Sequence, residues 1–462
     1  MKIKFTLVLF FAALAAAFAQ PTPVPVNTEG KLPFAIADEK QLSDEDLAEK
    51  KEGMYVTGVP ELSSDPINGF GYGAEGALYF NGKKTDPFFK YTPYRAEITA
   101  VLFNTTKNQR EAAVAVDIPY VLNTKWRLRG EAAYEINPNL LYFGINENSL
   151  DKLSYYPNND HNAAQVTNSR YKAYENNLST VQNDSTSHYY NGYTKQEAIL
   201  NISAEHVYFD SKMRLLVGFE AAQVNISAYD GSTKYKGAIE RATRITQDYN
   251  AGKLVGLGKN FIDIVQVGAV WDTRDLEPDP SKGIFAEVTN ELSLQALGSK
   301  FNFNKTFGQV KVYQRVLPNV FKKLIFAGRY GMGYTAGNAP FFEYQDQWSS
   351  EGSIEGLGGP TTLRGYKQSR FLGRLMNFAN LELRYRFTQF DLFKQHFALS
   401  AVPFFDIGGV WNGFSDFNKF SNYRYNEGLG LRIAWNVNTI LRFDYAYSQE
   451  DAQFFFNLAH AF

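Results

Sequence analysis

The 462-residue chain carries 47 Lys plus Arg against 48 Asp plus Glu and contains no cysteine. This balance argues against a nucleic-acid binder and against an acidic disordered chain, and the missing thiols exclude a disulfide framework and a bacterial lipoprotein anchor. Aromatic residues reach 16%, with 38 Phe and 29 Tyr, which suits either the core of a large secreted β-protein or a membrane barrel with a lipid-facing wall and aromatic girdles.

The first residues, MKIKFTLVLFFAALAAAFAQ, place Lys2 and Lys4 before an apolar run from Phe5 to Ala17 and a small-x-small site at Ala17-Phe18-Ala19. That is the pattern of a secretory signal peptide over 1–19, cut before Gln20. The run is too short for a good transmembrane helix, and no later segment offers about twenty consecutive apolar residues. Residues 20–52 read as a periplasmic linker, Pro-rich from Gln20 to Pro33, followed by SDEDLAEKKEG. There Ser43 can cap a short helix with Asp44, Glu45 and Asp46 in its first turn and Lys50 and Lys51 in its last. With few apolar residues to bury, the helix either enters a polar lumen as a small plug or lies in the periplasm.

From residue 53 to 462 the pattern has period two, with chemically opposite faces. Trp126, Leu128, Ala132 and Tyr134 oppose Arg127, Arg129, Glu131 and Glu135. In ANLELRYRF, Leu381, Leu383, Tyr385 and Phe387 oppose Asn380, Glu382, Arg384 and Arg386. In LRFDYAYS, Leu441, Phe443, Tyr445 and Tyr447 oppose Arg442, Asp444, Ala446 and Ser448. A soluble sandwich also alternates. However, the spacers here are short on one side, as at Phe390 to Gln395 and Trp435 to Asn438, and long and polar on the other, as at Asn146 to Lys195 and Gly337 to Gly373. This is the layout of an all-β, 16-stranded antiparallel transmembrane barrel. The alternation predicts strands near 54–62, 70–81, 93–104, 111–121, 125–137, 196–209, 213–229, 260–273, 284–296, 303–317, 323–335, 374–389, 397–411, 423–435, 439–448 and 453–462. The final segment, FFFNLAHAF, puts Phe454, Phe456, Leu458, His460 and Phe462 on one face, the pattern of a C-terminal barrel signal recognised during outer-membrane assembly.

Between the eleventh and twelfth predicted strands, the sixth outer loop contains GGPTTLRGY, in which Leu363, Arg364, Gly365 and Tyr366 set one arginine among glycines. A lone loop arginine is ordinarily a solvated charge beside a turn. This stretch resembles the sixth-loop arginine motif of the BamA/TamA superfamily, also called the bacterial surface antigen family. WDTRDLEPDPSKGIFAEV (Trp271 to Val288) is similar to that family's turn before the ninth strand, VPFFDIGGVW (Val402 to Trp411) to its thirteenth strand, and EGLGLRIAW (Glu427 to Trp435) to its fourteenth. The likeness is dense over 260–462 and rests on layout over 53–260.

The resemblance implies that the sixth loop folds into the lumen as a latch, with Arg364 meeting Glu382 and Asp406 on the inner wall. The alternation independently places both carboxylates on the polar face. It also implies a protein in the outer membrane of a Gram-negative, diderm bacterium that assists membrane-protein insertion, translocation or lipid perturbation through a weak seam between its first and last strands. A passive channel for small solutes is the alternative. Relatives carry periplasmic POTRA modules of roughly seventy to eighty residues. About 33 residues between the cleavage site and the first strand are too few for one, so a POTRA-less variant is expected.

Expected partners are outer-membrane lipid, the barrel-assembly machinery during biogenesis, and protein clients or a periplasmic partner. No nucleic acid, cofactor or metal is expected. The five histidines, His161, His188, His206, His396 and His460, form no nucleophile or metal pattern, so an enzyme is not expected. GYGAEG (Gly71 to Gly76) matches a dinucleotide fingerprint but lies on an alternating strand with no helix after it. The Tyr- and Asn-rich stretch from Tyr155 to Tyr193 reads as a solvated crown, with a partner-binding surface as the alternative.

Overall fold

The computed structural model describes residues 31–462 except 66–68, 158–161, 168, 182–184, 233, 322, 393–394 and 437–438. The expected signal peptide and residues 20–30 of the linker, together with His161, lie outside the described residues. Alternating sequences pair here as a sixteen-stranded sheet in strict chain order. The strands are β1 (Met54–Asp65), β2 (Gly69–Phe80), β3 (Ala96–Thr105), β4 (Arg110–Ile118), β5 (Trp126–Leu141), β6 (Gly192–Tyr208), β7 (Met213–Ser227) and β8 (Gly258–Asp272) in the first half. The second half is β9 (Gly283–Ser293), β10 (Phe303–Arg315), β11 (Leu324–Gly337), β12 (Leu375–Leu392), β13 (Gln395–Trp411), β14 (Arg424–Trp435), β15 (Thr439–Tyr447) and β16 (Ala452–Leu458). The ladders between successive strands are all antiparallel. Among the described residues no helix is long and apolar enough to cross a membrane; the crossing elements are strands.

The two faces separate as the alternation requires. Leu381, Leu383 and Tyr445 are exposed on the outer face, whereas Asn380, Glu382, Arg384 and Asp444 are buried inside. Phe443 and Phe456 pack against each other, with ring centroids 4.8 Å apart, and share the outer face with Tyr445. Such a wall is stable in hydrocarbon because the ladders satisfy the backbone and the charges stay in the lumen.

Several strands depart from their predicted bounds for physical reasons. β5 continues past Pro138 because the missing N–H falls in a bulge between Asn137 and Leu140, after which pairing with β6 resumes. β1 likewise runs through Pro60 to Asp65 instead of ending in a loop there. Among the described residues its second edge has no ladder, and an edge strand is where proline is tolerated.

The last strand needs a larger correction. β16 stops at Leu458, Ala459 adopts a left-handed conformation (φ 62°), and the chain turns inward. Phe454, Phe456 and Leu458 keep the strand pattern, but His460 and Phe462 do not continue that face. His460 Nε2 lies 3.0 Å from Asp279 Oδ1, and Phe462 packs with Tyr313 and Ala327. The Arg329 and Arg384 guanidiniums stand 5.0 and 5.3 Å from the Phe462 ring. These lumenal partners outweigh a continued alternation that would leave the imidazole facing lipid.

The three longest connections, β5–β6, β7–β8 and β11–β12, lie at one end of the barrel. Helices α2 (Tyr171–Leu178) and α3 (Arg244–Asn250) and a small three-stranded sheet form within the β5–β6 and β7–β8 loops. The β5–β6 loop is more than a solvated crown. Phe143, Leu153, Tyr171 and Tyr174 form a buried cluster, and Tyr142 donates to Asp248 Oδ2 at 3.0 Å. At the opposite end, α1 (Asp44–Glu49) has its backbone capped by Ser43 Oγ, which accepts from Asp46 N at 3.1 Å. It lies across the periplasmic mouth, and Lys50 falls just beyond the helix rather than in its last turn.

Candidate functional site: the lumenal latch

The β11–β12 loop folds back into the barrel along the inner wall. Its descent is pinned by Lys305 Nζ to Glu343 Oε2 at 2.7 Å and by Lys311 Nζ to Glu351 Oε2 at 2.5 Å. Glu287 on β9 accepts from Ser350 N and Ser350 Oγ at 3.0 and 2.7 Å. Leu357, Leu363, Tyr366 and Phe371 then build a small apolar core with Phe307, Phe378 and Val410 of the wall.

The tip of this loop carries Arg364, whose side chain is fully buried. The guanidinium donates to Asp406 through two parallel bonds, Nε to Oδ2 at 2.9 Å and Nη2 to Oδ1 at 2.8 Å. Nη1 donates to Glu382 Oε1 at 2.7 Å and to Asp444 Oδ2 at 3.2 Å. Its flat face lies 3.5 Å from the centroid of the Phe404 ring. Bidentate geometry, a third and a fourth acceptor and a stacked ring suit arginine and exclude lysine.

The wall is built to receive this group. Asn380 Nδ2 and Asn426 Nδ2 donate to Asp406 at 2.7 and 2.9 Å, and Arg384 Nε donates to Glu382 Oε2 at 2.9 Å. Arg432 Nη1 donates to Asp444 Oδ1 at 2.6 Å. Two glycines make the approach possible. A Cβ on Gly365 would stand 2.6 Å from Asn426 Cβ, and one on Gly428 would collide with the Phe404 ring. Tyr366 Oη donates to the Tyr425 carbonyl at 3.2 Å, and Ser448 Oγ donates to the Gly365 carbonyl at 2.7 Å.

Arg364, Glu382 and Asp406, singled out from the sequence, therefore meet in one cluster, with Leu363, Gly365 and Tyr366 beside them. Asp444, Asn380, Asn426 and Phe404 belong to the same cluster and were not singled out. Asp444 was legible as a lumenal residue, but its distance from Arg364 depends on how far the sheet curls. The glycine-rich match on β2 stays in the sheet with no helix behind it.

Comparison with known proteins now fits this geometry. Residues 95–462 match the Omp85 superfamily domain. The chain belongs to the Omp85 superfamily. It is an outer-membrane β-barrel protein of the BamA/TamA type, from a Gram-negative bacterium. Residues 32–95 match a domain of unknown function, DUF5982. The outer membrane protein assembly factor BamA of Nitratidesulfovibrio vulgaris is 25% identical over 207 residues, covering 42% of this chain. The matched part spans about a quarter (24%) of that relative's length. Among solved structures, BamA from Haemophilus ducreyi lacking POTRA domains 1-3 gives a TM-score of 0.46 at 13% identity, over 89% of this chain and 70% of that one. CdiB from Escherichia coli gives 0.49 at 10% identity, over 88% and 62%.

Proposed function

We propose that this Omp85 barrel inserts or translocates polypeptide at the outer membrane through the seam between β1 and β16, and that it does so without enzymatic chemistry. One observation carries the reading. Among the described residues no ladder joins β1 to β16, so the sheet has two free edges at membrane depth. Unpaired backbone groups in hydrocarbon cost several kcal/mol each, and a free edge templates an incoming strand. At the periplasmic end β16 has already ended, and β15 meets β1 through side chains, with Thr439 Oγ1 donating to Thr57 Oγ1 at 3.2 Å. The N. vulgaris relative is named as an assembly factor for outer-membrane proteins, which agrees with clients of that kind. Outer-membrane lipid, the assembly machinery and a periplasmic partner complete the proposed set of contacts.

The test uses the cysteine-free background. Single cysteines at Val56 and at successive positions from Phe454 to Leu458 are oxidised in pairs, and the insertion of an unfolded barrel protein into liposomes is followed. A crosslinked seam is expected to abolish the acceleration that the reduced protein gives. Unchanged activity would favour a passive channel. That second reading has its own support in a cavity of about 730 Å³ between the latched loop and the wall of β4–β6.

A further inference from the structure

The segment before β1 is short and poor in apolar residues, yet it touches much of the periplasmic rim. The Phe34 ring packs against Phe88 and Tyr120, with centroids 5.7 and 5.4 Å away, in the β2–β3 and β4–β5 turns. Ala37 N donates to the Asp210 carbonyl in the β6–β7 turn at 2.8 Å. Lys40 Nζ lies 3.2 Å from Asp272 Oδ2 at the end of β8, and Leu42 packs on Leu276 in the β8–β9 turn. The space left between the segment and the rim is a cavity of about 40 Å³, room for little more than a water.

Near β1 the same segment reaches both sides of the open seam. Lys50 Nζ, buried, donates to the carbonyls of Phe89 and Thr92 at 2.7 and 2.6 Å, on the β2–β3 side. Its neighbours turn the other way: Glu49 Oε1 lies 3.0 Å from His396 Nε2, and Lys51 Nζ donates to Gln395 Oε1 at 2.5 Å, on the β12–β13 side. Gln395 Oε1 also accepts from Trp435 Nε1 and Asn436 Nδ2 at 3.2 and 2.9 Å, so the tie extends to the β14–β15 turn. A burial pattern made of single side chains, backbone carbonyls and two small, separate apolar contacts, Phe34 on Phe88 and Tyr120 and Leu42 on Leu276, can be undone without unfolding the barrel.

We propose that Phe34–Lys51 is a strap that closes the periplasmic mouth and clasps the two sides of the seam, and that its release opens the barrel. The mouth-closing part does not require the seam to pass a client, so it stands or falls apart from the reading above. It also gives the strap portion of the domain of unknown function a role.

The test is conductance of the full-length protein in planar bilayers. In Leu42→Cys/Leu276→Cys the strap is locked when oxidised and free when reduced. In Lys40→Ala/Leu42→Asp it is loosened, with heat-modifiable gel mobility checking that the barrel has folded. The loosened variant is expected to conduct several-fold more than wild type, and the locked one to stay at or below wild type and to gain open events on reduction. If the loosened variant does not fold, the oxidised-against-reduced comparison decides. Equal conductance of the oxidised and reduced forms, or wild-type conductance in a folded loosened variant, would overturn the proposal. A crosslinked seam that leaves insertion unchanged would sink the insertion reading while leaving this result untouched.

Discussion

Two regions of the lumen have opposite character. Along β11–β15 the inward side chains Arg329, Glu382, Arg384, Asp406, Arg432 and Asp444 are buried, interlocked and covered by the folded-back loop. Toward the outer ends of β4–β6 the inward residues Glu111, Glu131, Glu135 and Glu197 line the open cavity, with Lys195 and Lys367 the cations among its lining residues, whereas nearer the periplasm Asp117, Arg127, Arg129 and Glu205 of the same strands are paired. Both walls have the same alternation of greasy and charged residues. What differs is whether a second element covers them, and the difference teaches that charge in a barrel wall becomes structural only when something desolvates and pairs it.

That comparison can be broken most readily in the filled region. Asp406→Ala would leave Arg364, Asn380 and Asn426 without their shared acceptor, amid Arg384 and Arg432. Loss of one partner from such a buried network costs about 3–5 kcal/mol. Urea unfolding in detergent or the temperature of heat-modified migration should register it. Next comes the outer wall of the same region. Leu383→Arg places a charge in hydrocarbon at about 2–4 kcal/mol near the midplane, whereas Arg384→Lys keeps its charge inside. Equal folding of the two would reverse the face assignment.

The open region sharpens the contrast by its tolerance. Glu131→Gln removes a carboxylate that faces the cavity and makes no hydrogen bond or ion pair among the described residues, and should change stability by about 0–1 kcal/mol. A loss as large as that of Asp406→Ala would mean that the two regions are not different in kind.

At the strap the expected effect is a dependence on pH. Burial pushes the Lys50 ammonium down to about 7, with Asp86 opposing the shift and Arg95 adding to it. A lysine whose docked value lies below its free value of about 10.4 binds fewer protons when docked across that interval. Docking therefore strengthens as pH rises from about 7 toward 10 and is weakest below 7, where the charge is buried in full. Strap-gated conductance should fall with pH over that window, and the slope should shrink in Lys50→Met.

Much of the fold was legible because membrane strands must hide charge on one side, which fixes register wherever both faces are informative. The latch arginine was legible through its motif, and Glu382 and Asp406 through alternation. Asp444 as a partner of Arg364 was not, since nothing local says which strands a loop tip will reach. The inward turn at Ala459 was hidden because FFFNLAHAF alternates to its end, while Asp279, Arg329 and Arg384, which capture its last residues, are far away in sequence. The strap was hidden for a related reason. Its anchors are backbone carbonyls and isolated side chains, which leave no periodic trace.

The central claim, that Arg364 is a desolvated latch holding the folded-back loop to the wall, is tested most directly by a double-mutant cycle between Arg364→Ala and Asp406→Ala, read as unfolding free energy in detergent. The account predicts that the double mutant loses much less than the sum of the single losses, with a coupling of about 0.5–3 kcal/mol, and that a second cycle with Glu382→Ala behaves alike. Simple additivity in both cycles would contradict it and return Arg364 to the status of a solvated loop charge.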